Sequence, residues 1–232
     1  MTAFFRFPHT PHLAWLGRDT PRDDKVMSAA EAMHYLAQVV VIEEKLDGAN
    51  LGLSIGSDGS VRAQNRGQYL ARPFTGQFAR LNGWLAKHEE ALFDALSKNL
   101  MLFGEWAAAV HTLEYPGLPD YFLVFDVYDK QLQRFWSTKR RNELAARLGL
   151  QHVYQIGIGR YRLATLQQML TSIQSNYRSG ASEGIYIRYE CEDWLIARAK
   201  LVHPSFVQGI GGHWRSRSLR WNALNIGNAS SQ

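Results

Sequence analysis

The sequence lacks the features that several classes of protein require. Its 232 residues include a single cysteine, Cys191, which excludes a disulfide within the chain and a zinc site built from several cysteines. No stretch approaches the roughly 18 consecutive apolar residues of a membrane-spanning helix. The start, MTAFFRFPHTPHLAW, has no long apolar run behind basic residues, so we expect no secretory leader. These absences favour a cytoplasmic enzyme without a membrane partner.

Acidic residues are also missing from the end of the chain. The balance of 26 Lys+Arg against 21 Asp+Glu gives a net charge of only +5, but no acidic residue follows Asp193. That stretch carries five cations and two tryptophans: Arg198, Lys200, Arg215, Arg217, Arg220, Trp214 and Trp221. Basic residues interleaved with aromatic rings suit a phosphate backbone with unstacked bases. The alternative is a solvated basic tail that is packed by its tryptophans, and both interpretations stay open here.

Length and composition predict one domain. A hydrophobic fraction of 46% is enough for a sizeable core and too high for a disordered chain. Residues 1–27 look like an irregular arm, because Pro8, Pro11 and Pro21 interrupt any regular element. Residues 203–232 look like a short basic extension. We therefore expect a single catalytic domain over 1–232.

The apolar patterns predict a mixture of helices and strands. Ser28 and Glu31 form a capping box, which indicates a helix to about Ala37; further helices are expected at 78–98, 138–148 and 163–174. Strands are expected at 39–44, 51–55, 61–64, 100–106, 121–128, 132–136, 184–189 and 194–200, with a hairpin turn at Asp58-Gly59. The strands and helices do not alternate regularly, so the prediction is an α+β fold with largely antiparallel sheets.

The first candidate for chemistry is Lys45, at the end of the predicted strand Val39–Glu44. Asp47 and Gly48 follow it, and Gly48 allows a tight turn beside a bulky ligand. An amine attacks phosphorus only in its neutral form, which desolvation or neighbouring cations favour. A lysine that merely ends a strand is the alternative, and this tetrapeptide alone does not decide between them.

Short motifs follow Lys45 in a fixed order, and together they are much more specific. They are Gln64–Arg66, Leu102–Trp106, Tyr121–Asp126, Ser182–Ile187 and Arg198–Val202. With the run around Lys45, the series resembles motifs I, Ia, III, IIIa, IV and V of the covalent nucleotidyltransferases, the polynucleotide ligases and capping enzymes. The likeness is strongest to the ATP-dependent RNA ligases of the phage RNA ligase 2 type, because Asn50 and the pair Phe125-Asp126 favour that branch.

This resemblance implies a fold and a reaction. The fold would be a nucleotidyltransferase (adenylation) domain, similar to ATP-grasp, with antiparallel sheets flanked by helices. The cofactors would be ATP and Mg²⁺ or Mn²⁺, and Lys45 would form lysyl-AMP before the AMP passes to a 5′ end of RNA. The substrates would be RNA ends, in a nicked duplex or a single strand. The alternatives are a DNA ligase, a capping-type nucleotidyltransferase, or a non-catalytic module that binds nucleotide or RNA.

The resemblance also assigns roles residue by residue. Lys45 and Lys200 would be catalytic, with Lys200 contacting the α-phosphate. The nucleotide would be contacted by Glu44, Asn50, Arg66, Glu105, Phe125, Glu183, Arg198 and Lys200, and metal would be held by Glu183 and Asp126. Glu105 would accept bonds from ribose hydroxyls and Phe125 would stack on adenine. Taken alone, Glu105 could equally be a strand-end carboxylate paired with an arginine, and Phe125 a core residue.

Two further features bear on the site. Arg198 and Lys200 alternate with Ala197 and Ala199, so in a strand both cations face the same side; Arg198 replaces the first of the two lysines usual in this family. His111 is close in sequence to Glu105, but a loop histidine with its own hydrogen bond explains it as well. The DNA ligases and capping enzymes of this superfamily add an oligonucleotide-binding barrel, and the phage RNA ligase 2 type adds a helical domain. The stretch 203–232 is too short for either, so we expect no OB-fold domain, and an accessory protein is a candidate partner.

Overall fold

The computed structural model describes residues 4–18, 25–208 and 218–225. The helices are α1 (Ala29–Leu36), α2 (Leu81–Leu96), α3 (Thr138–Arg147), α4 (Leu163–Ser172) and α5 (Pro204–Gln208), with a short 3₁₀ helix at Gly76–Phe78. The strands are β1 (Val40–Lys45), β2 (Ala49–Ile55), β3 (Val61–Gln64), β4 (Leu100–Trp106), β5 (Phe122–Asp129), β6 (Arg134–Phe135), β7 (Gln151–His152), β8 (Gln155–Gly159), β9 (Gly184–Cys191) and β10 (Trp194–Val202). None of the helices within these ranges is long and apolar enough to cross a membrane.

The chain forms two compact units, each assembled from separate parts of the sequence. We call the first the four-stranded unit; its described residues are 8–18, 25–46 and 153–208. The second is the six-stranded unit, whose described residues are 4–7, 47–152 and 218–225. The chain passes from one unit to the other directly after Leu46. The expectation of one nucleotidyltransferase domain over 1–232 stays a prediction.

The four-stranded unit is an antiparallel sheet in the order β10-β9-β1-β8. One face of this sheet carries the core, to which α1, α4 and Leu13 of the arm also contribute. Alternation along β1 places Val40 and Ile42 in that core, each with no exposed surface. Alpha-helix α1 begins at the predicted capping box, in which Ser28 and Glu31 bond reciprocally to each other's backbone N–H.

The six-stranded unit is a sheet in the order β3-β2-β4-β5-β6, and β7 adds to β5 in parallel. The predicted hairpin at Asp58-Gly59 joins β2 to β3, and Gly59 has a φ of 80° that favours glycine. Helix α2 buries Leu81, Leu85, Leu92 and Leu96. Phe93, which is adjacent in sequence to the buried Leu92, is 49% exposed. The predicted α+β class with largely antiparallel sheets is confirmed.

The parts of the fold that were not predicted include β8 and the packing of the arm. Strand β8 contains Gly157 and Gly159, which lower strand propensity; the ring of Tyr161 lies against both of these glycines, and its hydroxyl would be 2.8 Å from a Cβ at Gly157. The described part of the arm is irregular, as expected, but its side chains pack against the rest of the fold. Its first part contributes Phe5 and Phe7 to an aromatic cluster of the six-stranded unit.

Candidate active site

Lys45 ends β1 and lies half-buried in the four-stranded unit. Its Nζ atom is 2.5 Å from Oε2 of Glu183, and the two side chains are only 15% and 17% exposed. The register places Lys45 opposite Gly184, so Glu183 comes directly before the strand partner of Lys45. Nζ also lies 5.7 Å from the centre of the Tyr186 ring. The structure therefore brings the predicted nucleophile and the predicted metal ligand into direct contact.

Arg198 and Lys200 lie on the same face of this sheet as Lys45. Ala199 is fully buried in the core on the opposite face and Ala197 packs against that core, so the alternating Arg198 and Lys200 point away from it. The register pairs Lys200 with Tyr186 and Tyr186 with Glu43, two residues before Lys45. We call Lys45, Glu183, Arg198 and Lys200 the lysine cluster.

The main chain of Lys200 is held by the N-terminal arm. Its N–H donates to the carbonyl of Pro11 at 2.9 Å, and its carbonyl accepts from the N–H of Leu13 at 2.8 Å. The sequence alone predicts only an irregular arm over residues 1–27. The structure shows that residues 11–13 add an extra edge to β10 at the position of Lys200, which fixes the direction of that side chain.

The polar face also holds side chains that sequence analysis missed. Arg188 is buried, with its Nε 2.8 Å from Glu190 Oε1 and 3.8 Å from Glu43 Oε2. It pairs in register with Arg198. The sequence spacing could have predicted these side chains, because Tyr186 and Arg188 follow Gly184 at intervals of two and therefore share a face in a strand. These groups extend the charged surface around the lysine cluster.

Glu44 lies on the other face of β1. It is 2% exposed, and its Oε2 accepts from the N–H of Asn176 at 2.9 Å. Burial raises the pKa of Glu44 above its ordinary value of 4.5, and hydrogen bonds from Ser175 and Asn176 oppose that shift. The side chain thus points into the core and not beside Lys45, and its predicted contact with ATP stays a prediction.

The raised pKa of Glu44 predicts how its contribution to the stability of the folded protein changes with pH. A raised pKa means that folding disfavours the ionised form, so the contribution of Glu44 is largest near or below pH 4.5 and falls as the pH rises through its pKa in the folded protein. Glu44→Gln cannot ionise and keeps an acceptor for Asn176. We expect the free energy of unfolding of Glu44→Gln, relative to the wild type, to rise with pH and then level off, as measured by urea unfolding across this range.

An exposed glutamate gives the matched control for this series. Glu143 is 62% exposed and lies 3.8 Å from Lys139, so Glu143→Gln should show little change relative to the wild type over the same pH range. A relative stability of Glu44→Gln that falls with increasing pH would contradict the assigned direction of the shift.

In the six-stranded unit, further predicted residues gather at one end of the sheet. Asn50 pairs with Glu105 across β2 and β4, and Glu105 with Leu123 across β4 and β5. Gly52 pairs with Gln64, and Arg66 lies just beyond β3, in the turn that the hydrogen bonds between Asn65 and Gln68 close. Phe125 follows at the next strand, and we call Asn50, Arg66, Glu105 and Phe125 the asparagine cluster.

Two buried polar atoms of the asparagine cluster lack a hydrogen-bond partner among the described residues. They are Oδ1 of Asn50 and Nε of Arg66. Buried polar atoms without a partner are costly and uncommon in folded proteins. An amide oxygen and a guanidinium N–H would fit a polar ligand that both donates and accepts hydrogen bonds, as a nucleotide does.

Phe125 occupies a β-bulge. Phe103 pairs with Asp126 and Gly104 with Val124, so no residue of β4 stands opposite Phe125. Bulges redirect side chains and are frequent beside active sites. The bulge is held by Arg141, which is fully buried and donates to the Phe125 carbonyl at 2.8 Å. The half-buried Phe125 ring meets Phe7 edge-on at 5.4 Å, so it both packs in the core and borders the surface.

The remaining predicted groups are placed as follows. Asp126 is 1% exposed, and its role as a metal ligand stays a prediction. His111 hydrogen-bonds with Oε1 of Gln77 at 2.8 Å, the partner that the loop interpretation expects. The ring of Trp221 lies 4.5 Å from the Arg80 guanidinium, and Arg220 pairs with Glu114. Trp214, Arg215 and Arg217 lie outside the described residues.

The lysine cluster contains a carboxylate that could hold a divalent cation. The described residues contain no group of three or more His, Cys, Asp and Glu side chains that could hold a metal ion. Magnesium keeps most of its water ligands and needs only one or two carboxylates together with phosphate oxygens. Glu183, a partly exposed carboxylate beside Lys45, fits that requirement.

Comparison with known proteins shows a family for this chain and solved structures with a similar fold. A family model described as RNA ligase matches residues 38–202, which is most of the chain. No curated protein matches the sequence. The fold is similar to that of the Naegleria gruberi RNA ligase with PPi, with a TM-score of 0.57 and 18% identity over 74% of this chain and 51% of that one.

Other solved structures show the same likeness. A lysine-to-alanine mutant of the Naegleria gruberi enzyme with ATP and Mn has a TM-score of 0.58 and 16% identity, over 76% of this chain and 53% of that one. An archaeal ATP-dependent RNA ligase has a TM-score of 0.58 and 20% identity, over 84% of this chain and 48% of that one. The chain thus spans about half the length of these proteins, and at such identities the likeness concerns the fold.

Proposed function

Because the chain belongs to the RNA ligase family, we propose that it is an ATP-dependent enzyme that joins a 3′-hydroxyl to a 5′-phosphate of RNA through lysyl-AMP at Lys45. The observation that carries this proposal is the lysine cluster. Lys45 is a largely buried amine at a strand end, on the same sheet face as two further cations, and both desolvation and neighbouring positive charge favour the neutral amine that attacks phosphorus. The contact with Glu183 favours the ammonium form until the proton is removed.

The first step forms a bond between Nζ of Lys45 and the α-phosphorus of ATP and breaks the bond to pyrophosphate. The ammonium must lose a proton before it attacks, and the Glu183 carboxylate at 2.5 Å is placed to receive that proton. Arg198 and Lys200 would balance the negative charge of the phosphates and of the leaving pyrophosphate. Once Glu183 had passed the proton from Lys45 on to solvent, its ionised carboxylate would hold Mg²⁺ or Mn²⁺, which would add further neutralisation of phosphate charge.

The asparagine cluster would bind the nucleoside. Glu105 is partly exposed at the sheet end and would accept hydrogen bonds from ribose hydroxyls. The unpartnered Oδ1 of Asn50 and Nε of Arg66 would be satisfied by nucleotide donors and phosphate oxygens. Phe125 would stack on adenine, since its bulge turns the ring out of the regular sheet pattern.

Two further transfers complete the reaction. The AMP passes from Lys45 to the oxygen of a 5′-phosphate end, which restores the free amine and activates that end. A 3′-hydroxyl then attacks the activated phosphate, closes the strand and releases AMP. Both steps are phosphoryl transfers that depend on positioning and cations, so Arg198 and Lys200 can serve all three.

The proposal is tested by incubating the full chain with magnesium and ATP labelled at the α-phosphate, then denaturing it and mapping the label. We expect acid-labile, labelled AMP on the peptide that contains Lys45. With ATP labelled at the γ-phosphate, the protein should carry no label, because that phosphate leaves with pyrophosphate. The adduct should then seal a nick with a ribose 3′ end, and paired substrates with ribose and deoxyribose ends distinguish an RNA ligase from a DNA ligase. Tight ATP binding without an adduct would contradict the proposal and favour a non-catalytic module.

A further inference from the structure

Asn222, far from every motif of the sequence, is the centre of a buried polar network in the six-stranded unit. It is 2% exposed, and its side chain makes hydrogen bonds in three directions. Nδ2 donates to the carbonyls of Ala107 and Ala109 at 2.8 and 3.3 Å, and Oδ1 accepts from the N–H of Tyr115 at 2.8 Å. A side chain that satisfies three buried backbone groups fixes the loop that contains them.

Backbone hydrogen bonds join the same two segments. Asn222 N–H donates to the carbonyl of Ala108 at 2.9 Å, and Ala223 N–H to that of Tyr115 at 3.1 Å. Leu118 N–H in turn donates to the carbonyl of Ala223 at 2.9 Å. Residues 220–225 therefore lie along the loop 107–118 as an added strip of main chain.

The loop in turn holds Asp47, two residues after Lys45. Oδ2 of Asp47 accepts from the N–H groups of both Thr112 and Leu113 at 2.7 Å. The hydroxyl of Tyr115, a residue that is 1% exposed, accepts from the N–H of Asp47 at 2.9 Å. Both the carboxylate and the main chain of Asp47 are thus bound to a loop that Asn222 shapes.

We infer that Asn222 is a positioning residue for the adenylation step: with Tyr115, it fixes Asp47 and thereby the course of the chain as it leaves Lys45. This inference rests on the proposed function of Lys45. A nucleophile must approach phosphorus in line, and displacement of its attachment by about 1 Å can slow a reaction about 10²-fold. The connection spans 107 residues between Tyr115 and Asn222, so no local motif reveals it.

The experiment compares Asn222→Ala and Tyr115→Phe with the wild-type chain in single-turnover labelling with α-labelled ATP. Asn222 acts on Lys45 through the loop and not on ATP. We therefore expect the maximal rate of adduct formation to fall about 10- to 100-fold in Asn222→Ala, while the ATP concentration for half-maximal rate changes less than about 2-fold. Tyr115→Phe removes only the hydroxyl that accepts from Asp47, and should lower the same rate in the same way. Because both residues act through Asp47, the double variant should be no slower than Asn222→Ala.

Asn82→Ala supplies the matched control. Asn82 also bridges loop carbonyls of the six-stranded unit, donating from Nδ2 to Phe74 and Ala79 at 3.2 Å. Its hydrogen bonds to described residues do not include one to the loop 107–118. A folded Asn222→Ala chain that labels as fast as Asn82→Ala would overturn the inference. If Asn222→Ala does not fold, Tyr115→Phe tests the inference instead. A wild-type rate of adduct formation in Tyr115→Phe would then overturn it. Absence of label on the wild-type chain is a separate result, which overturns the proposed function itself.

Discussion

Replacing Lys45 with arginine is expected to abolish the covalent adduct with ATP. Lys45→Arg keeps a cation beside Glu183, with which Lys45 pairs at 2.5 Å, so the charge of the lysine cluster is preserved. A guanidinium stays protonated at any pH at which proteins fold, and it therefore cannot attack phosphorus. We expect the label retained on the denatured protein to fall by at least about 10⁴-fold relative to the wild type.

The control for this prediction is an exposed lysine that is not part of the lysine cluster. Lys139 is 82% exposed and lies 3.8 Å from Glu143, and Lys139→Arg should form adduct at the wild-type rate. Circular dichroism on both variants checks that the fold is retained. Undiminished labelling of Lys45→Arg would contradict the assignment and would place the nucleophile on another residue.

Much of the site could be predicted because it depends on strand alternation. The spacing of Arg198 and Lys200 between alanines was sufficient to place both cations on one face, and the buried Ala199 confirms this. The same rule separates Glu44 from Lys45, because consecutive residues in a strand point to opposite faces. The contact of Glu44 with ATP, which the resemblance implies, stays a prediction.

Other features depend on contacts that no local pattern encodes. The bulge at Phe125 arises from the register between β4 and β5, which a single strand sequence does not fix. The clamp of residues 11–13 on Lys200 and the bonds from Asn222 to the loop 107–118 join distant parts of the chain. Such contacts are set by tertiary packing, so the sequence alone does not show that the arm contacts Lys200 or that residues 220–225 bond to the loop 107–118.

The loss of the Lys200 ammonium is expected to have the next largest effect. In Lys200→Ala the strand should stay in place, because the main chain of Lys200 bonds to Pro11 and Leu13. What is lost is a cation on the same face as Lys45, which we assign to the charge that develops on the phosphates. We expect adduct formation to slow about 10²- to 10³-fold, as measured by single-turnover labelling with α-labelled ATP.

Lys200→Arg separates charge from geometry in this prediction. Arginine restores a positive charge but presents it as a wide planar fork instead of a compact ammonium, so the rate should recover only in part. Ile196→Ala is the control on the same strand, since the Ile196 side chain is 48% exposed. If Lys200→Ala labels as fast as Ile196→Ala, the charge that balances the α-phosphate must come from Arg198 and not from Lys200. If it labels normally but no longer seals RNA, Lys200 acts on the 5′-phosphate in the later transfers, and the two assays on one variant distinguish these steps.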